Sequence, residues 1–140
     1  MKVGICCVST GPWSTGSFIR HSARSAEKAG FDSYWLGDHI VLFDEYPGSS
    51  YPYKGKMFSD PPMPDPRVAT YDPLMAMCWA AAATGTIGIG SSIVILPHRN
   101  PVVLAKQVSG LDEFSGGRVT FGIGVGWCKE EMEAIGGDWP

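Results

Sequence analysis

The sequence has few charged residues, and neither sign is in large excess. Of its 140 residues, 11 are lysine or arginine and 14 are aspartate or glutamate, which gives a formal net charge of −3. Proteins that bind nucleic acid usually carry a strongly basic surface, so this balance argues against a nucleic-acid partner. Because 44% of the residues are hydrophobic, the composition is that of an ordinary globular domain with a sizeable core.

Cysteine is also scarce, and its spacing fits neither a disulfide scaffold nor a zinc site. The four cysteines lie at positions 6, 7, 78 and 128, with no C-x-x-C pair and no histidine pair at metal-ligand distance. The apolar run at residues 3–8 is too short for the core of a signal peptide. Glycines interrupt the longest low-charge run, residues 74–96, which favours a helix and a buried strand over a membrane span. We therefore expect a cytoplasmic protein with no metal site and no membrane segment.

Apolar strand-like runs alternate with helical patterns along the chain. The strands are apolar throughout rather than alternating with polar residues, which predicts a parallel sheet covered by helices. The fold class is therefore α/β, either an open doubly wound sheet or part of an eightfold barrel. The predicted strands are residues 3–8, 33–36, 87–96 and 118–125, and the predicted helices begin at Thr15 and at the capping pairs Asp72-Pro73 and Asn100-Pro101.

The third predicted helix carries an apolar stripe. Leu104, Val108, Leu111 and Phe114 recur at helical spacing along it. We expect all four side chains to pack against the sheet, and we expect Gly116-Gly117 to end the helix.

One connection, residues 40–71, is far longer than the others. It holds six prolines between Pro47 and Pro66, interleaved with aromatic residues. Connections of this length are usually functional lids or disordered insertions. Because this one leaves the carboxyl end of the second strand, where ligands bind in both architectures, we favour a lid and leave a disordered insertion open. Its aromatic residues, which would suit an apolar or planar substrate or simply pack the loop, are Tyr46, Tyr51, Tyr53 and Phe58.

Asp38 and His39 lie directly after the second strand. A histidine there can position a cofactor ring or exchange a proton near neutral pH, and the adjacent carboxylate can orient a ligand. The structural alternative is that His39 ends the strand while Asp38 accepts backbone N–H groups. The pair alone does not decide between the two.

Two segments of small residues would let backbone approach a ligand. Ser91 and Ser92 interrupt a branched aliphatic strand, where they mark a bulge or are satisfied by their neighbours. The run from Gly122 to Trp127 lacks the third glycine of a dinucleotide fingerprint, so its glycines serve either a flat ligand or close strand packing. Arg99, in the loop after the third strand, either meets an anion or forms a surface ion pair. A doubly wound nucleotide-binding domain is therefore poorly supported.

Four segments of the chain strongly resemble the bacterial luciferase-like oxidoreductases. They are Trp35-Leu-Gly-Asp-His39, the run from Ile87 to Pro101, Leu111 to Arg118, and Phe121 to Trp127. Within that superfamily the Pro-His-Arg-Asn-Pro turn and the Gly-Val-Gly-Trp-x-x-Glu-Glu ending are most similar to the coenzyme F420-dependent branch, with the FMN-dependent monooxygenases as the nearer alternative. The resemblance implies a TIM-type (β/α)8 barrel, of which residues 1–140 would form the N-terminal half, with about four βα units and the insertion at about 40–71.

The resemblance also implies an activity and a set of site residues. The expected reaction is hydride transfer to or from a small organic substrate at the ring of coenzyme F420, or alternatively of FMN, at the carboxyl ends of the strands. His39 is then the expected proton donor or acceptor. A non-proline cis peptide backing the ring would fall at Ser92-Ile93. The implied cofactor contacts are Asp38, His39, Ser92, Ile93, Gly124, Val125, Gly126 and Trp127.

Two departures limit what the resemblance implies. Trp127 stands where the sugar-phosphate dehydrogenases of the superfamily place a catalytic carboxylate, and Gly124 stands where the light-emitting enzymes place a reactive cysteine. Neither chemistry is therefore expected here. The loops that usually hold cofactor phosphate would lie beyond Pro140. The hypothesis of a different class is a truncated, non-catalytic half-barrel that self-associates through open edges at strands one and four, and in either case we expect a homo-oligomer.

Overall fold

The computed structural model describes residues 1–7, 10–51 and 65–139, which build a four-stranded parallel sheet. The strands lie side by side in chain order, and each neighbouring pair is parallel. This order separates the two candidate architectures, because a doubly wound sheet reverses its order in the middle whereas a barrel does not. The prediction of barrel-type βα units is confirmed. The strands are β1 (Gly4–Cys6), β2 (Ser33–Leu36), β3 (Gly88–Ile95) and β4 (Val119–Gly124).

In the described part of the chain an α-helix follows each strand. The helices are α1 (Gly16–Lys28), α2 (Pro73–Ala83), α3 (Pro101–Ser115) and α4 (Lys129–Ala134). Neighbouring connecting helices pack against each other, α1 on α2 and α2 on α3. Both predicted caps are present, because the side chains of Asp72 and Asn100 each accept hydrogen bonds from two N–H groups in the first turn of the helix that follows. Within the described ranges, no helix is long and apolar enough to cross a membrane.

The strand predictions differ from the structure mainly at their ends. β2 has its predicted bounds, and β3 and β4 lie inside their predicted ranges. β1 ends at Cys6, earlier than predicted, and Val8 lies outside the described residues. β1 is an edge strand that pairs only with β2 in the described part of the chain, so fewer ladder bonds define its length.

The hydrophobic core fills the space between the sheet and the helices. In the predicted stripe of α3, Leu104 and Leu111 are buried and Val108 packs against the core, but Phe114 is 88% exposed. The prediction for Phe114 is wrong. Three helical turns take about eleven residues, so the position that faces inward like Leu104 is Ser115, eleven residues later, and Phe114 points away from the core. The largest buried core side chains include Tyr34, Leu36, Met77, Ile89 and Val94.

At the amino-terminal edge of the sheet, Glu27 of α1 holds the connection between α2 and β3. Its Oε1 accepts the backbone N–H groups of Gly85, Thr86 and Ile87 at 2.9, 2.6 and 3.0 Å. The bond from the Thr86 N–H contributes most to lowering the pKa of Glu27, which lies at about 2. The carboxylate thus takes the place of three backbone acceptors.

Arg118, which precedes β4, also forms hydrogen bonds at the amino-terminal edge of the sheet. Its guanidinium donates to the carbonyls of Ala81, Ile87 and Ser115 at 2.9, 3.0 and 2.6 Å, and also to the carbonyl and hydroxyl oxygens of Thr84. One side chain therefore satisfies the carbonyl ends of two helices and the start of a strand.

Candidate functional site

His39 lies just past the end of β2, at the carboxyl-terminal edge of the sheet. Its Nδ1 is 2.8 Å from Oε2 of Glu131 in α4. The His39 side chain is 29% exposed, whereas the Glu131 side chain is fully buried. No described residue forms a hydrogen bond with Nε2 of this ring. The predicted proton-transfer residue is thus anchored through Nδ1 and, within the described part of the chain, unbonded at Nε2.

Glu131 was not among the predicted site residues, although it holds the histidine. Its second oxygen, Oε1, accepts the backbone N–H groups of Ile40 at 2.8 Å and Val41 at 3.3 Å. Burial raises the pKa of Glu131, but the bonds from His39 and from the two N–H groups outweigh it, so the pKa lies below its ordinary value. The sequence signal was the Glu-Glu pair that follows Trp127, which by itself does not point to a partner 92 residues away.

Asp38 has both carboxylate oxygens engaged by the protein. Oδ2 lies 2.5 Å from Nη1 of Arg99 and accepts the Ile95 N–H at 2.9 Å, while Oδ1 lies 3.0 Å from Nη2 of Arg99. Arg99 also reaches Asp72 at 3.0 Å. The Arg99 side chain is only 12% exposed, so this is a largely buried ion pair rather than the surface pair considered from the sequence. The arrangement matches the structural alternative for Asp38, and its contact with a cofactor stays a prediction.

The Ser92–Ile93 peptide bond is cis, as the resemblance implies. It lies in the shift of register between β3 and β4 that falls between Ser91 and Val94. Ser91 is buried, and its hydroxyl donates to the carbonyl of Gly122 and accepts the N–H of Gly122 at 2.9 and 3.0 Å. Ser92 and Ile93 are exposed. Of the two serines, the first is satisfied by its neighbours and the second is accessible.

The glycines of β4 allow the strand to pack closely on β3. A Cβ at Gly124 would lie 2.6 Å from Cδ1 of Ile93, and a Cβ at Gly122 would collide with the carbonyl oxygen of Ser91. Between the two interpretations left open by the sequence, strand packing therefore accounts for both residues. Beyond them, Val125 is 77% exposed and Gly126 turns the chain with a φ of 81°.

Trp127 lies at the centre of an aromatic cluster that we call the Trp127 cluster, formed with His39, Tyr46 and Tyr51. The ring centroids of Tyr51, Tyr46 and His39 lie 5.0, 6.0 and 6.4 Å from that of Trp127. Two of the four aromatic residues predicted to line a lid thus contact the site, while Tyr53 and Phe58 lie outside the described residues. The described start of the long connection therefore packs on the turn that follows β4.

Glu130 fixes the same loop at a second point. It accepts the N–H of Gly48 at 2.7 Å and the hydroxyl of Ser49, and that hydroxyl oxygen in turn accepts the N–H of Lys129 at 2.7 Å. These bonds outweigh burial, so the pKa of Glu130 lies below its ordinary value. Adjacent glutamates at the start of α4 therefore hold two separate stretches of the loop that follows β2.

A cavity of about 350 Å³ opens beside the histidine. It runs between the end of β2, the segment before α2 and the loop after β3, so that its wall joins His39 to the Asp38–Arg99–Asp72 network. The remaining lining residues are Ile40, Thr70 and Tyr71.

Known proteins share both the sequence pattern and this fold. The sequence profile described as luciferase-like monooxygenase matches residues 1–140. An uncharacterized protein of Mycobacterium tuberculosis is 31% identical over 112 residues, which cover 79% of this chain and 38% of that protein. The chain thus spans well under half the length of this curated relative.

Solved structures extend the comparison. The coenzyme F420-dependent tetrahydromethanopterin reductase from Methanopyrus kandleri matches with a TM-score of 0.64 and 25% identity, over 96% of this chain and 30% of that one. The oxygenating constituent of 3,6-diketocamphane monooxygenase from Pseudomonas putida, in complex with FMN, matches with a TM-score of 0.70 and 21% identity, over 97% of this chain and 32% of that one. At that identity the second match speaks for the fold alone.

Proposed function

Because this chain belongs to the luciferase-like monooxygenase family, we propose that it supplies the His39-bearing part of a barrel that transfers hydride at the ring of coenzyme F420 to or from a small organic substrate. The observation that carries the proposal is the meeting, at one edge of the sheet, of His39, Trp127 and the exposed segment at Ser92–Ile93. An F420-dependent enzyme is among the solved structures of similar fold.

The surface beside these residues suits a flat ring. Ile93 is 36% exposed, Ile123 is 52% exposed and Val125 is 77% exposed, so apolar side chains lie open in the carboxyl-terminal halves of β3 and β4 and just beyond. A deazaflavin bound there would supply the hydride chemistry itself. The chain's own part would be to offer this apolar platform, to pack the Trp127 cluster beside it, and to give or take a proton at His39.

The aromatic cluster supports an apolar or planar substrate. Trp127, Tyr46 and Tyr51 present ring faces and edges where a sugar phosphate would need charged partners. FMN is the alternative cofactor, because the chain also resembles the FMN-dependent monooxygenases of the luciferase-like family.

The test is a binding titration of the whole protein that contains this chain, with F420 and FMN at equal concentrations and fluorescence as the signal. We expect F420 to bind more tightly. Val125→Asp should weaken binding because it places a charge on the platform, whereas Val102→Asp, at an equally exposed valine on α3, should not. Tighter binding of FMN would overturn the cofactor assignment but not the fold.

Absence of binding by both cofactors would overturn the proposal. In that case the alternative is a non-catalytic half-barrel that associates through its edges, since β1 and β4 each have one unpaired side in the described chain. Light scattering over a range of concentrations would then show association.

A further inference from the structure

We propose that Glu131 is a positioning residue that keeps the hydrogen of the neutral His39 ring on Nδ1, and so makes Nε2 the nitrogen that exchanges protons. The group that exchanges a proton with Nε2 is given by the proposed function, so that part of the inference rests on it. The tautomer of His39 is a property of the folded chain and is independent of the proposed function.

The first step is the chemistry of the Glu131 carboxylate. An ionised carboxylate only accepts hydrogen bonds, so Nδ1 of His39, 2.8 Å from Oε2, must be the donor. The hydrogen bonds that hold the pKa of Glu131 below its ordinary value keep it ionised despite complete burial. A neutral imidazole carries one hydrogen, and with that hydrogen on Nδ1 the lone pair is on Nε2.

The second step is that the two oxygens of Glu131 do different work. Oε2 faces the ring, whereas Oε1 takes the N–H groups of Ile40 and Val41, the two residues that follow His39. The carboxylate thus fixes the ring and the backbone beside it at once. A purely structural role would need only the second set of bonds.

The other charged groups near His39 and Glu131 do not compete with Glu131 for a hydrogen bond to the His39 ring. Asp38 is paired with Arg99. Burial lowers the pKa of His98, which favours the neutral form of that neighbouring ring. Among the described residues, Glu131 is therefore the acidic group that bonds to His39.

The sharpest test is Glu131→Gln, because an amide has one accepting oxygen and one donating NH2 group. The N–H groups of Ile40 and Val41 require the oxygen, which leaves the NH2 group facing Nδ1 of His39. Nδ1 must then accept, and the hydrogen of the neutral ring moves to Nε2. We expect the tautomer to reverse.

The measurement is the ¹⁵N chemical shifts of the ring nitrogens in the whole protein labelled at histidine, at an alkaline pH where imidazoles are neutral. The chain has three histidines, and a His39→Gln variant identifies the signals of His39. In the unmodified protein we expect Nε2 to give the shift of an unprotonated nitrogen, and in Glu131→Gln we expect that shift at Nδ1.

Glu130→Gln is the matched control, since Glu130 bonds to Gly48, Ser49 and Cys128 in the same helix turn and does not bond to His39. In Glu130→Gln, His39 should have the same tautomer as in the unmodified protein. The same is expected in Glu131→Asp, because aspartate keeps the negative charge that accepts the hydrogen bond. A proton on Nε2 in the unmodified protein would overturn the inference even if Glu131→Gln failed to fold, and so would an unchanged tautomer in a folded Glu131→Gln.

An activity measurement then separates this inference from the proposed function. If hydride transfer is found, Glu131→Gln should lower kcat by about 10- to 100-fold with less effect on KM, the size seen when carboxylate partners of metal-bound histidines are removed. If no hydride transfer is found but the tautomer reverses, the proposed function fails and the role of Glu131 stands.

Discussion

The two edges of the sheet differ in what their charged side chains contact. At the amino-terminal edge, Glu27 and Arg118 bond to backbone groups and hydroxyls. At the carboxyl-terminal edge, Asp38 and Glu131 also accept backbone N–H groups, but each in addition bonds to a titratable side chain, Arg99 and His39 respectively. The first arrangement uses charge to complete backbone hydrogen bonding, and the second uses charge to orient a ring with an open nitrogen. The candidate chemistry thus lies at the carboxyl-terminal ends of the strands, as in barrels generally, and the charged groups there also contribute to stability.

The largest effect on activity should come from removing the His39 ring and its unbonded Nε2. In the whole protein, His39→Gln should lower turnover with F420 by about 10²- to 10⁴-fold, the range for loss of a general acid or base. Its melting temperature should change little, because the side chain is partly exposed. Steady-state kinetics and thermal unfolding check this, with His21→Gln on the exposed face of α1 as the control. Unchanged turnover would remove His39 from the mechanism.

A second change asks whether the carboxyl-terminal edge also carries stability. Asp38→Asn should reduce the free energy of unfolding by about 3 kcal/mol, since it leaves Arg99 as a buried charge with only Asp72 to pair with. Denaturant unfolding measures this. The control is Asp65→Asn, whose partner Arg67 is 81% exposed, so that this change should leave the free energy of unfolding nearly unchanged. Weaker cofactor binding with unchanged stability would instead assign Asp38 to the ligand.

The smallest effect is expected at the amino-terminal edge and depends on pH. Glu27→Gln should cost about 1 kcal/mol near neutral pH, because the bonds it weakens are close to solvent. The pKa of Glu27 is about 2 in the folded chain against an ordinary 4.5. The stabilisation is therefore full above the ordinary value and is lost as the pH falls through about 2.

Urea unfolding between pH 7 and pH 3 measures this difference. The gap in unfolding free energy between the unmodified protein and Glu27→Gln should narrow below the ordinary pKa of a glutamate. If the difference in unfolding free energy stays constant across this pH range, then the geometry of the hydrogen bonds to Glu27, and not its ionisation, holds the connection between α2 and β3.

Local signals in the sequence predicted the elements of the fold well. The caps Asp72 and Asn100 placed the starts of α2 and α3 to the residue, because capping involves only the next few residues. The orientation of Phe114 was predicted wrongly because, near a helix end, two neighbouring positions compete for one inward direction. The position of His39 followed from the end of β2, and the cis bond at Ser92–Ile93 followed from the family resemblance alone.

The partner of His39 could not be predicted in the same way. Glu131 is 92 residues away, and only the parallel pairing of β2, β3 and β4 brings the loops after β2 and β4 together. A buried glutamate in a short helix has no local signature that separates it from its neighbour Glu130. The same holds for Arg99, whose two acidic partners come from different connections.

The adjacent glutamates of α4 also matter for anyone who would recombine this chain with its relatives. Glu131 binds the loop after β2 at Ile40, and Glu130 binds it at Gly48. The second and fourth βα units are therefore held together by this one set of hydrogen bonds. A chimera that kept α4 but replaced the loop with one of a different backbone path would leave the buried carboxylate of Glu131 without these N–H donors. These two segments, separate in sequence, would therefore have to be transplanted together.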